Sequence, residues 1–74
     1  MCEKVEIYKT LAAVPAIHIE LANIVLPCSL ALYQNNKLLN TARINRNNHI
    51  FTITDSGEYY VVATIENGRE IASE

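Results

Sequence analysis

Apolar residues fall on nearly every second position through most of this chain, the period of a strand that buries one face. Lys4-Val5-Glu6-Ile7-Tyr8-Lys9 puts Val5 and Ile7 on one side. Ile17-His18-Ile19-Glu20-Leu21 repeats the pattern after Pro15. Ile24-Val25-Leu26 loses it, which predicts a bulge or a stretch buried on both faces. Pro27 has no N–H to donate, so a strand should end there or lie at a sheet edge. Ser29–Gln34 predicts a third strand, and Asn35-Asn36 suits a two-residue primed turn into Lys37-Leu38-Leu39. Residues 40–48 are polar and predict an irregular crossover or a short edge strand. His49–Thr54 predicts a strand with Phe51 and Ile53 inward. Glu58–Ile65 is the longest, with Tyr59, Val61, Ala63 and Ile65 on one face and Tyr60, Val62, Thr64 and Glu66 on the other. Thr10–Val14 holds helix formers, but Pro15 limits them to a single turn.

The last hairpin admits two registers. A two-residue Asn67-Gly68 turn pairs Ile65 with Glu70 and Thr64 with Ile71. A three-residue loop, Glu66-Asn67-Gly68, with Gly68 as a bulge pairs Ala63 with Ile71 and carries Ile71 to the core side. One residue of slip flips the whole strand, so burial favours the second register. Asparagines at 35–36 and 45–48 mark bends, because asparagine tolerates left-handed angles and forms Asx turns. Strands with turns every eight to twelve residues or so predict an all-β fold, a sandwich or a barrel.

The chain has 74 residues and reads as one domain, 1–74. Such a domain buries only about 60% of the surface its unfolded chain exposes, which predicts a stability on the order of 5 kcal/mol. The net charge of −2 offers no basic face for nucleic acid. Met1-Cys2-Glu3-Lys4 does not begin a signal peptide, and no apolar run approaches the length of a transmembrane helix, so a cytoplasmic location is expected and no membrane partner. Cys2 and Cys28 have no CxxC or His-Cys company and read as reduced thiols, with a Cys2–Cys28 bridge as the geometric alternative.

Asp55-Ser56-Gly57-Glu58-Tyr59-Tyr60-Val61-Val62-Ala63 resembles the D-x-G-x-Y-x-C-x-A segment of immunoglobulin-like domains, with Val61 at the cysteine position. Leu30–Leu39 looks like the strand C to C′ pattern Q-W-Y-K-N-G-K-L-L, with Leu32 at the tryptophan position. The resemblance spans residues 30–73 and is closest to the short, disulfide-free domains of bacterial surface proteins and phage structural proteins. The chain departs from the pattern in lacking the cysteine pair and the tryptophan, and in a short connection between strands E and F. What the resemblance implies is a small immunoglobulin-like β-sandwich of about six or seven antiparallel strands, with a structural corner at Asp55, Gly57 and Tyr59. There Gly57 lets the chain turn, Asp55 accepts backbone N–H groups, and Tyr59 packs inward with its hydroxyl reaching upstream backbone. Leu32 and Val61 would then fill the centre by packing alone.

Candidate chemistry is sparse. His18 and His49 lack HxH or HExxH spacing and read as surface or turn residues. Cys28 has no local base, and Ser56-Gly57 lacks the G-x-S-x-G frame. Glu58, Glu66 and Glu70 are strand-surface carboxylates near Arg69. No catalytic residue, cofactor or metal is therefore expected. Lys37, Arg43 and Arg46, among asparagines, form a mild basic zone that suits carboxylates, phosphates or sugars, although a solvated loop has the same composition. Tyr8, Tyr33 and Tyr60 face outward and would mark an interface if they met on one sheet face. The expected role is a non-enzymatic protein-binding or structural accessory module, of phage or bacterial type, acting through a sheet face or an edge strand. Its partner would be a protein, a second copy in a homo-oligomer or a virion component among the choices. The alternative is a small cytosolic inhibitor of a host or partner enzyme, of the anti-defence type. Carbohydrate binding through tyrosines and amides is a third reading.

Overall fold

The structure, a computed structural model, describes residues 3–10, 14–54 and 57–73. These residues form seven strands: β1 (Lys4–Thr10), β2 (Ala16–Ala22), β3 (Cys28–Gln34), β4 (Lys37–Ile44), β5 (Asn48–Thr52), β6 (Tyr59–Ile65) and β7 (Glu70–Ala72). They pair antiparallel into two sheets, one of order β1-β2-β5 and one of order β4-β3-β6-β7. Of the sandwich and the barrel that the strand pattern allows, the sandwich is the observed architecture.

The same alternation builds the core. Ile17, Ile19 and Leu21 of β2 face Cys28, Leu30 and Leu32 of β3 and Val61, Ala63 and Ile65 of β6, with Val5, Ile44, Phe51 and Ile53 closing the margins. Each buried large apolar side chain contributes about 2 kcal/mol of transfer free energy. Across the β3–β6 ladder Leu30 lies opposite Ala63 and Leu32 opposite Val61, so a large residue meets a smaller one in each row. Leu30, Val61 and Ala63 are wholly inaccessible and Leu32 is 1% exposed. Among the described residues no polar or charged side chain is buried.

Local turn chemistry explains the connections. Asn35 and Asn36 take φ of 53° and 65°, and Gln34 pairs with Lys37, the geometry of a type I′ turn that needs positive φ at both central residues. In the last hairpin the Ile65 N–H donates to the Arg69 carbonyl at 3.0 Å and the Gly68 N–H to the Ile65 carbonyl at 2.9 Å. Gly68 has φ of 90°, and Ala63 pairs with Ile71. This is the three-residue register, and it brings Ile71 against the core.

Two expectations need correction, and a third resolves between its alternatives. Ile24-Val25-Leu26 is neither a bulge nor a doubly buried strand. Asn23 turns with φ of 58°, and the chain leaves the first sheet to reach the second. Ile24 and Leu26 pack on the core from this loop, while Val25 is 64% exposed. Of the two forms expected for residues 40–48, residues 40–44 take the edge strand: they are the main part of the eight-residue β4, paired with β3 as far as Ile44. Their polarity follows from position, since an edge strand presents both faces to water along most of its length. Leu39 is the extra residue of a bulge, because Leu32 pairs with Asn40 and Tyr33 with Leu38. His49 does not sit on the surface side. It shares the inward side of β5 with Phe51, edge-on to that ring at 4.7 Å. The helical turn expected over Thr10–Val14 falls largely outside the described residues, and Thr10 itself ends β1 opposite Ala16.

Cys28 is a free, buried thiol, and Cys2 lies outside the described residues. Burial pushes the Cys28 thiol above its ordinary value, and the Arg43 charge partly opposes this. The thiolate is therefore disfavoured in the folded state relative to the unfolded state. That contribution is fully present below the unfolded thiol pKa and is lost as pH rises through the higher folded value. Urea melts between about pH 8 and pH 11 should show stability falling with pH, with a shallower slope in Cys28→Ala. Equal slopes in the two proteins would remove Cys28 from the alkaline response.

Candidate contact surface

Pairing register decides which outward residues meet. On the outer face of the four-stranded sheet, Tyr33 lies opposite both Tyr60 and Leu38. The two tyrosine rings stack with centroids 5.0 Å apart and planes 7° from parallel. The Tyr60 hydroxyl donates to Asn36 Oδ1 at 3.4 Å, tying the ring to the β3–β4 turn. In the next row Ala31 lies between Thr41 and Val62, and Val62 lies opposite Ala72. The third row runs Arg43, Ser29, Thr64, Glu70. The face thus grades from aromatic and aliphatic at the Asn35-Asn36 end, through small apolar side chains, to polar and charged at the other. Arg43 there pairs with Glu66 at 3.4 Å. Both groups are well exposed, so the pair adds well under about 1 kcal/mol.

Tyr8 does not join this patch. It stands in β1 of the other sheet, in a row with His18 and Ile50. Its hydroxyl donates to the Glu6 carboxylate. That bond pushes the Tyr8 phenol above its ordinary value and, with Lys4 3.2 Å from the carboxylate, holds the Glu6 carboxyl below its own. The expected convergence of Tyr8, Tyr33 and Tyr60 is therefore corrected to a Tyr33–Tyr60 pair.

The three basic residues do not all converge either. Lys37 opens β4 and Arg43 lies six positions on, roughly 20 Å along an extended strand. Arg46 follows in the short connection to β5. Arg43 and Arg46 border an open hollow with His49 and Ile50, and Lys37 stands apart from it.

The corner is partly described. Asp55 and Ser56 lie outside the described residues, so the proposed Asp55 contacts do too. Gly57 has φ of 148°, and a Cβ there would stand 2.8 Å from the Gln34 amide nitrogen. Lys9 Nζ donates to the Gly57 carbonyl and sits 5.5 Å from the centre of the Tyr59 ring. The ring, half-buried against the core, is thereby bracketed by a cation. Ile7, Lys9, Ile17 and Tyr59 line an open hollow at this end of the sandwich. Among the described residues, no group of three His, Cys, Asp or Glu side chains is placed to hold a metal ion. Also among them, no helix is long and apolar enough to cross a membrane.

Sequence reasoning missed Leu38, Ala31, Val62 and Ala72 as members of the patch. The signal was present in the alternation, since each is an outward position, but it needed the pairing of β3 with β4 and β6. No protein-family model matches the chain, and comparison with curated proteins and with solved structures gives no match.

Proposed function

We propose that this chain is a small immunoglobulin-like module that binds protein by surface contact, with the outer face of the four-stranded sheet as its contact surface. The observation that carries this reading is the row formed by Leu38, Tyr33 and Tyr60, continued by Ala31, Val62 and Ala72 and edged by Arg43, Glu66 and Glu70. A central aromatic and aliphatic area with a polar rim is the anatomy of a protein interface. Stacked tyrosines bury much area at little cost in rotamer entropy, because each has two χ angles and the stack already restrains them.

Strand order supports the immunoglobulin-like part of the reading. In that architecture A, B and E lie in one sheet and C, F and G in the other, with C′ added beside C in the variable type. The orders β1-β2-β5 and β4-β3-β6-β7 correspond to A-B-E and C′-C-F-G. Leu32 and Val61, the residues at the tryptophan and second cysteine positions of the resemblance, lie opposite each other in the core.

The test compares wild type with a Tyr33→Ala/Tyr60→Ala variant as immobilised bait in extract of the native cell. Truncating two central tyrosines should weaken capture of the bound proteins by at least about 30-fold, while Tyr8→Ala leaves it unchanged. Circular dichroism establishes that each bait is folded. Equal capture by wild type and the double variant would remove this face from the function.

A further inference from the structure

The two sheets are unequal in width, and the mismatch falls on one side. β1 approaches β6 and β7, so the three-stranded sheet covers the β7 side of the four-stranded one. β4 extends beyond β5 on the other side. Its inward positions are Asn40, Ala42 and Ile44, opposite the buried Leu32, Leu30 and Cys28. Only Ile44 is fully buried; Ala42 is half-buried against the core, Asn40 is exposed, and Leu39 of the bulge is 45% exposed. The inner flank of β4 lacks a covering strand among the described residues.

β5 forms the other wall of this gap, and its backbone is open. The Leu21 N–H donates to the Asn47 carbonyl at 2.8 Å, and the Ile53 N–H donates to the Pro15 carbonyl at 3.1 Å. Antiparallel ladders alternate bonded and non-bonded pairs. With Ile19 opposite His49 and Ile17 opposite Phe51, the odd-numbered residues of this segment bond to β2. Asn48, Ile50 and Thr52 therefore direct N–H and C=O away from β2, where β5 is the sheet edge. All three residues are exposed, Ile50 by 55%. The other edges are less accessible. On β4 the bulge at Leu39 interrupts the ladder, and Asn40 Oδ1 accepts from the Thr41 N–H at 2.9 Å. β7 has three residues, and β1 lies toward β6 and β7.

Charge identifies what this gap would accept. Lys37, Arg43 and Arg46 are half of the six Lys and Arg residues, and none of the eight Asp and Glu residues lies between 37 and 54. That segment carries +3 and the remainder of the chain −5. Arg46, and Arg43 with its Glu66 partner, border the hollow between the end of β4 and β5, together with Ile44, His49 and Ile50.

We propose that the free edge of β5, with the uncovered inner flank of β4, accepts one extended, carboxylate-bearing segment of a partner protein as an added strand. Main-chain bonds to Asn48, Ile50 and Thr52 supply the pairing. Apolar side chains at alternate positions of the segment cover Leu39 and Ala42, and a carboxylate meets Arg46 at the Asn48 end. The edge is separate from the Tyr33–Tyr60 face, so either can fail while the other stands.

The probe is an acetylated, amidated heptapeptide that alternates valine and threonine and ends in glutamate on both sides, with a lysine-ended peptide as control. Amide hydrogen exchange is followed by NMR. Saturating glutamate-ended peptide should slow exchange at Asn48, Ile50 and Thr52 by about tenfold or more and leave His49 and Phe51 unchanged. The lysine-ended peptide should not slow it at the same concentration. Ile50→Pro removes the central outward donor without breaking a bond to β2, and should abolish the slowing while the spectrum elsewhere is retained. Ile50→Lys, which keeps the N–H, should weaken rather than abolish it, and serves as the second variant should Ile50→Pro not fold. Absence of slowing at millimolar peptide overturns the proposal, as does equal slowing by both peptides. Changes confined to β3 and β6 would mean the peptide docks on the sheet face instead. Slowing that grows with protein concentration alone would make the occupant a second copy; both outcomes contradict the proposed occupant.

Discussion

Val61→Asp should leave the chain unfolded in water at 25 °C, whereas Val62→Asp should fold. The two positions are neighbours on β6, but the pleat sends them to opposite sides. Val61 is wholly inaccessible between Leu32 and the β2 side chains, and the described residues bury no polar group that could receive a carboxylate. The aspartate must either ionise in an apolar interior or bind a proton and remain without a partner. Each route costs several kcal/mol. That equals or exceeds the stability of about 5 kcal/mol expected for so small a domain. Val62 is half-buried on the outer face between Ala31 and Ala72, where water can reach an added carboxylate. Its replacement should cost under about 1 kcal/mol. Circular dichroism and amide dispersion distinguish the two results. A well-dispersed Val61→Asp spectrum would mean that β6 presents its other face to the interior.

The second large effect is at Leu32. Leu32→Ala should lower the unfolding free energy by about 3 kcal/mol, through lost transfer energy and the cavity left between β3, β6 and the opposite sheet. Urea denaturation should show the midpoint falling by more than half with an unchanged m-value. Leu38→Ala provides the contrast, because Leu38 is 50% exposed on the outer face and should cost only about 0.5 kcal/mol. A small effect at Leu32 would mean that its environment collapses to refill the space, which the facing rows of Leu30, Val61 and Ile19 leave little room to do.

These expectations rest on a core that was legible before the fold was known. Val5, Ile17, Ile19, Leu32, Phe51, Val61, Ala63 and Ile65 each occupy the inward side of a strand, and Ile53 continues that side just past the end of β5. Two hairpins were equally legible, because Asn35-Asn36 and Gly68 satisfy backbone angles that most residues avoid. The second half of β4 was legible only as one of two alternatives, because an edge strand exposed on both sides has no alternation to display. Ile24-Val25-Leu26 misled for the opposite reason. A loop that crosses between sheets also buries apolar side chains, without the regular period of a strand.

The contact surface shows the same division more sharply. That Tyr8, Tyr33 and Tyr60 point outward follows from alternation within each strand, and sequence determines it. That Tyr33 stacks on Tyr60 while Tyr8 stands in the other sheet follows from the pairing of β3 with β6, whose partners lie more than twenty residues apart in the chain. The open edge at Asn48, Ile50 and Thr52 likewise exists only because β5 joins a sheet of three strands that faces one of four. Strand period and turn angles are properties of adjacent residues, so the chain alone sets them. Sheet membership and edges depend on how distant apolar faces are buried together, and only the tertiary structure decides them.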